Sequence, residues 1–135
     1  MLNFLKRLFS KTTQTQPTGH IVAAKIQKID KHPNADRLKI VTLNIGNILI
    51  YPVVCGAINL QEGNIVALAL PGATIAQNIH SEEHEPFVLD KAKIRGIESQ
   101  GMICAEFELG LSSEIGEKPE IMILPPDTQL GKILF

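Results

Sequence analysis

Tryptophan is absent from these 135 residues, tyrosine occurs once, and two of the five phenylalanines, Phe4 and Phe9, lie within the first nine positions. A binder of bare single-stranded nucleic acid is thereby disfavoured, because such proteins stack bases on aromatic platforms, each worth about 1–3 kcal/mol. No stretch approaches the roughly 20 consecutive apolar residues of a membrane-spanning helix. There is also no secretory pattern of basic start, long apolar run and small-residue cleavage site. Cysteine is scarce: Cys55 and Cys104 lie among apolar neighbours without metal-type spacing, and read as reduced core thiols of a cytoplasmic protein. His80 and His84 would share one face of a helix, but Pro86 and the lack of nearby ligands argue against a metal site. Catalytic signatures are missing too, with no phosphate-cradling glycine loop followed by Lys and Ser/Thr and no nucleophile elbow. The chain is therefore expected to be neither an enzyme nor a cofactor carrier.

What is present is one domain's worth of chain with a segregated charge. The net charge is −1, and residues 18–135 hold ten cations against fourteen acids. From Lys25 to Lys39 there are five cations (Lys25, Lys28, Lys31, Arg37, Lys39) against Asp30 and Asp36, and Lys91, Lys93 and Arg95 follow at alternate positions. From Gly96 to Glu120 the sign reverses, with six glutamates against Lys118. One face of positive potential can coexist with a negative total.

Residues 1–17 stand apart from 18–135. Leu2, Leu5, Leu8 and Phe9 recur at helical spacing opposite Lys6, Arg7 and Lys11, before the sequence turns to Thr, Gln and Pro. A short amphipathic helix on a flexible tether is expected. Docking on the domain, pairing with a partner, contact with a membrane surface, a weak organelle transit signal and plain end fraying are all open readings.

From His20 the periodicity is that of strands. Ile21–Ile29 alternates apolar and polar with a slip near its end, and His32-Pro33-Asn34-Ala35-Asp36 breaks the strand. Leu38–Ile45 and Ile48–Val54 flank a Gly46-Asn47 turn, Ile65–Leu70 is fully apolar, and Phe87–Ile97, Met102–Ala105 and Ile121–Leu124 complete the set. Asn59–Gly63 is expected as one helical turn at most, Glu106–Leu111 as a short helix capped by Gly110, and Gly96 and Gly101 as brackets of a polar loop carrying Ser99. The profile is all-β with short helices: an OB-fold, a five-stranded Greek-key barrel with peripheral additions.

Five ordered stretches then carry a resemblance. They are His32-Pro33-Asn34-Ala35-Asp36-Arg37-Leu38, Val54-Cys55-Gly56-Ala57-Ile58-Asn59-Leu60, Ala69-Leu70-Pro71-Gly72-Ala73, the run from Ile94 to Cys104, and Glu108-Leu109-Gly110-Leu111. Together they resemble the tRNA-binding OB domain near the start of the bacterial phenylalanyl-tRNA synthetase β chain, a relative of the EMAP-II cytokine domain, over roughly His20 to Phe135. The resemblance implies a stand-alone, non-catalytic module that grips structured tRNA through shape and phosphate backbone, with the Ser-x-Gly-Met stretch, Ser99 to Met102, at the surface. It implies tRNA as partner, an aminoacyl-tRNA synthetase and a homodimer as further partners, and no metal or cofactor. The RNA-binding candidates are Lys25, Lys28, Arg37, Lys39, Lys91, Lys93, Arg95, Ser99 and Met102. Two alternatives stand beside it: a protein-interaction or dimerisation OB module, and a truncated synthetase β chain.

Overall fold

A computed structural model describes residues 19–135. The helix expected in residues 1–17 lies outside that range. Among the described residues the chain forms β1 (Ile21–Lys31), β2 (Lys39–Asn44), β3 (Leu49–Cys55), β4 (Ile65–Ala69), β5 (Thr74–Ile75), β6 (Phe87–Val88), β7 (Ala92–Ile94), β8 (Ile97–Ser99), β9 (Met102–Ile103) and β10 (Ile123–Leu124). All strand pairings are antiparallel.

The main sheet runs β10-β4-β1-β2-β3, with β9 on the same edge of β4 as β10. Its inward positions are those the alternation marks: Val22, Ala24 and Ile26 on β1, Val41 and Leu43 on β2, Ile50 and Val53 on β3, Val66 and Leu68 on β4. Each of the Val, Leu and Ile side chains among them stabilises the fold by about 1.5–3 kcal/mol through removal from water. The slip expected in β1 falls between Ile26 and Lys28, and from there the inward register passes to Ile29, opposite Val41. Such an extra residue bends and twists the strand, as closing a sheet on itself requires. Closure comes where β3 meets the β8–β9 segment. Gln100 N–H donates to the Pro52 carbonyl at 2.8 Å. Val54 N–H donates to Ser99 Oγ at 2.9 Å. The wall of the OB barrel is thus β1, β2, β3, β9 and β4.

β4 is buried on both faces, which is why it reads as an uninterrupted apolar run. Its outer face, with Ile21 and Ala69, is covered by Ala73, Ile75, Cys104 and Leu109 in a second apolar cluster. The half of β1 that β2 does not reach is edged by the C-terminal stretch, through Ala23 N–H to Lys132 O and Leu134 N–H to Ile21 O, at 2.9 and 2.8 Å.

Two expectations are corrected. Phe87–Ile97 is not one strand: β6 pairs with β5, and a separate β7–β8 hairpin follows. Glu106–Leu111 is not a short helix but a run of turns, and Asn59–Gly63 likewise holds no more than turns. Five or six residues cannot repay the cost of nucleating a helix. Asn59 instead clasps Ile121, donating from Nδ2 to its carbonyl and accepting its N–H at Oδ1, both at 2.9 Å.

Gly101 is required by close approach, since a Cβ there would sit 2.8 Å from the Ala69 carbonyl oxygen. Gly101→Ala must push β9 from β4 at the Ala69–Met102 pair, and is expected to cost about 1–3 kcal/mol. Chemical denaturation of the two proteins measures it.

Candidate nucleic-acid interface

Pro33 ends β1 and sends the chain through a loop, 32–38, whose side chains are spent on holding a distant turn. His32 is buried. Its Nδ1 accepts the Asn34 N–H at 3.0 Å, which leaves the ring proton on Nε2 to be donated to the Ile94 carbonyl, also at 3.0 Å. Asn34 Nδ2 donates to the Arg95 carbonyl at 2.9 Å. Arg95 and Gly96 are the two central residues of the β7–β8 hairpin, with φ of 52° and 92°. That is the pattern of a two-residue primed turn, in which Asn or Gly is the usual first residue. An arginine there is in the left-handed region at a cost of about 1–2 kcal/mol, and such outliers concentrate at functional positions. A Cβ on Gly96 would stand 3.2 Å from Asn34 Nδ2.

Arg37 and Arg95 line one open cleft with Pro33, Asn34 and Asp36. Lys39 begins β2 directly opposite Lys31, the last residue of β1. Facing like charges repel unless an anion lies between them. Lys93 stands opposite Glu98 across the hairpin, and exposed Lys91 precedes it. Around this end of the barrel there are five cations, Lys31, Arg37, Lys39, Lys93 and Arg95, with Asp36 and Glu98 as the neighbouring acids. Lys28 and Lys25 do not join them. Lys28 lies farther back on the outer face of β1, beside Asp30 at 3.7 Å with both side chains largely exposed, an ion pair worth about 0–1 kcal/mol. Lys25 is opposite Asn44, roughly 20 Å along the strand from Lys31.

Ser99 is not in a solvent loop. It ends β8, is 4% exposed, and its hydroxyl accepts from Val54 N–H while donating to the Gly101 carbonyl at 2.9 Å. Met102 is half-buried against the outer apolar cluster. Lys31 was not among the sequence-predicted candidates, and the hydrogen bonds of His32 and Asn34 to the β7–β8 turn were not foreseen. Their partners lie 61 or 62 positions away, and no local signal reports them.

On the other side of Leu38 and Ile94 lies a second groove, floored by Val54, Cys55, Gly56, Met102 and Ile103 and walled by residues from 105 to 121. Glu108 sits in it, accepting the Ala105 N–H at 2.9 Å. Burial pushes its carboxyl above the usual carboxylate range, while that hydrogen bond and the charge of His80 pull the other way. Burial likewise raises the thiols of Cys55 and Cys104, with Glu108's charge adding to the effect in each. Neither thiol is primed as a nucleophile.

Residues 21–132 match the family described as "Putative tRNA binding domain". The chain is 38% identical over 121 residues to the phenylalanine–tRNA ligase beta subunit of Bdellovibrio bacteriovorus, covering 90% of this chain and 14% of that protein. With the same subunit of Chlamydia abortus it shares 44% over 122 residues, covering 90% and 15%. With that of Chlamydia pneumoniae it shares 43% over 114 residues, covering 84% and 14%. The chain thus spans about one seventh of the length of these relatives. Among solved structures, the MetRS related protein of Pyrococcus horikoshii superposes with a TM-score of 0.59 at 16% identity, covering 86% of this chain and 89% of that one. That likeness speaks for the fold.

Ser99→Ala would leave the Val54 N–H and Gly101 carbonyl without their buried partner, at an expected cost of about 1–3 kcal/mol; the urea midpoint reads it. Glu108→Gln tests the half-buried carboxyl. Because the folded-state value is raised, Glu108's contribution to stability is complete below the ordinary carboxylate range and is lost as pH rises through the raised value. The Gln variant is therefore expected to melt above the parent near neutral pH, with the gap closing towards about pH 4.

Proposed function

The chain belongs to the tRNA-binding domain family, and we propose that it engages tRNA without catalysing a reaction, holding it by its phosphate backbone at the end of the barrel where the β1–β2 loop meets the β7–β8 turn. The observation that carries this reading is the joining of Arg37 and Arg95 in one cleft by the Asn34–Arg95 hydrogen bond. Phosphates call for Lys and Arg, and contacts to them position a nucleic acid without reading its bases. Structured RNA presents a fixed contour of phosphates and 2′-hydroxyls to such a surface. Arg37, Lys39, Arg95 and Lys31 form its centre, with Lys93 and Lys91 beside them and Lys28 and Lys25 as outer contacts along β1. Ser99 acts by position: its two hydrogen bonds fix the hairpin's exit and the Gly101-Met102 stretch, while Met102 offers only its exposed edge.

Narrower parts of the proposal are accessory service to an aminoacyl-tRNA synthetase, pairing of two copies and a cytoplasmic setting. Among the described residues no helix is long and apolar enough to cross a membrane.

Affinity for tRNA should fall steeply with salt, with a log–log slope of about −3 to −4 if some four phosphates are neutralised. Arg37→Glu with Arg95→Glu should lower the affinity by more than about tenfold at physiological salt and flatten the slope. Arg95→Asn separates function from folding. Asparagine tolerates the left-handed turn better, so stability should hold or rise by up to about 1 kcal/mol while tRNA binding weakens. Fluorescence anisotropy with labelled tRNA, beside thermal melts, reads both; salt-independent binding, or full affinity in the double variant, would sink the proposal.

A further inference from the structure

The second groove has no use in phosphate binding, and its charge has the wrong sign for it. Glu106, Glu108, Glu114, Glu117 and Glu120 line it, with Lys118 the one Lys or Arg among its lining residues. Its floor is apolar. Ile115 in its lining is 46% exposed, and Leu111 and Ile58, each next in sequence to a lining residue, are 56% and 58% exposed. Ile58 is tied to the groove wall through its N–H to the Pro119 carbonyl at 2.8 Å. An acid-rimmed apolar trough calls for a covering segment that is apolar on one side and basic on the other.

The chain itself contains one. Leu2, Leu5, Leu8 and Phe9 recur at helical spacing with Lys6, Arg7 and Lys11 between them, and residues 1–17 include no Asp or Glu. The distance is within reach. Gly19, where the described chain begins, bonds through its N–H to the Pro71 carbonyl at 2.9 Å, and the Ala76 N–H bonds to the Glu108 carbonyl on the groove wall at 3.0 Å. The path from Pro71 to Ala76 spans at most about 18 Å, and the eight residues from Lys11 to Gly19 can extend to about 28 Å. We infer that residues 2–11 dock in the groove between the end of β3 and the 105–121 segment of the same molecule, their apolar side chains on its floor and their cations against its glutamate rim. Leu38 lines both this groove and the arginine cleft. The inference does not depend on RNA binding, and its test uses none.

Cys55 on the groove floor is the reporter. It is partly exposed, whereas Cys104 is fully buried. In the full chain, alkylation of Cys55 by a maleimide, followed by mass spectrometry, should be slow. Leu5→Glu with Leu8→Glu should accelerate it by about fivefold or more, as loss of a covering segment does, with Cys104 silent as evidence that the barrel stays folded. Glu114→Lys with Glu117→Lys should accelerate it as well, and adding Lys6→Glu and Arg7→Glu to that variant should restore protection. The protection should not change on dilution. Equal rates in the parent and the Leu5/Leu8 variant would overturn the inference. So would protection that disappears on dilution, which would assign the cover to a second copy of the chain.

Discussion

The proposed surface depends on the hydrogen bonds that join loop 32–38 to the β7–β8 turn, chiefly His32 Nε2 to the Ile94 carbonyl and Asn34 Nδ2 to the Arg95 carbonyl, with Arg95 Nη2 to the Asn34 carbonyl a longer third. Each is worth only about 0.5–1.5 kcal/mol of net stability. Their importance is geometric, because they fasten the loop after β1 to a hairpin that shares no strand pairing with it. Without them Arg37 and Arg95 would belong to two independent surface loops. With them, two basic stretches far apart in sequence become one wall of a cleft. The barrel supports this join from below. Ser99 closes β3 on the hairpin's second strand, so the same few residues that complete the fold also aim the arginine turn.

A chain of net charge −1 can hold a polyanion only if its charges are kept apart. Here Leu38 lines two separate depressions, one carrying Arg37 and Arg95 and the other a glutamate-rimmed apolar groove. The division suits phosphate recognition, since contacts within a Debye length of about 8 Å dominate at physiological salt. It also explains why the scarcity of aromatic side chains is no handicap. A surface that reads contour and phosphate has no need of stacking platforms.

Much of this was legible in the sequence. The positions of β1, β2 and β3 followed from alternation, the both-faces-buried β4 from its unbroken apolar run, and the slip in β1 from a break in the pattern near its end. The resemblance placed the family. What the sequence hid were long-range pairings and one backbone conformation. Arg95 continues the alternation of Lys91 and Lys93, so it read as a strand residue, but a left-handed φ at a hairpin tip leaves no mark on periodicity. The polar stretch around Ser99 suggested a solvated loop. The hydroxyl turns inward because the Val54 N–H, 45 positions away, has no strand partner of its own at the closing seam. Glu106–Leu111 had helical composition, yet six residues pinned by Gly110 at φ 77° form turns.

The account stands or falls on where a structured RNA touches the protein. Amide chemical shifts of isotopically labelled protein, followed as unlabelled tRNA is added, test this directly. Residues 32–39 and 93–96 should move together and with the same midpoint, while 112–120 stay in place. Shifts centred on the glutamate-rimmed segment, or movement of the two basic stretches with different midpoints, would contradict a single surface joined at Asn34 and Arg95.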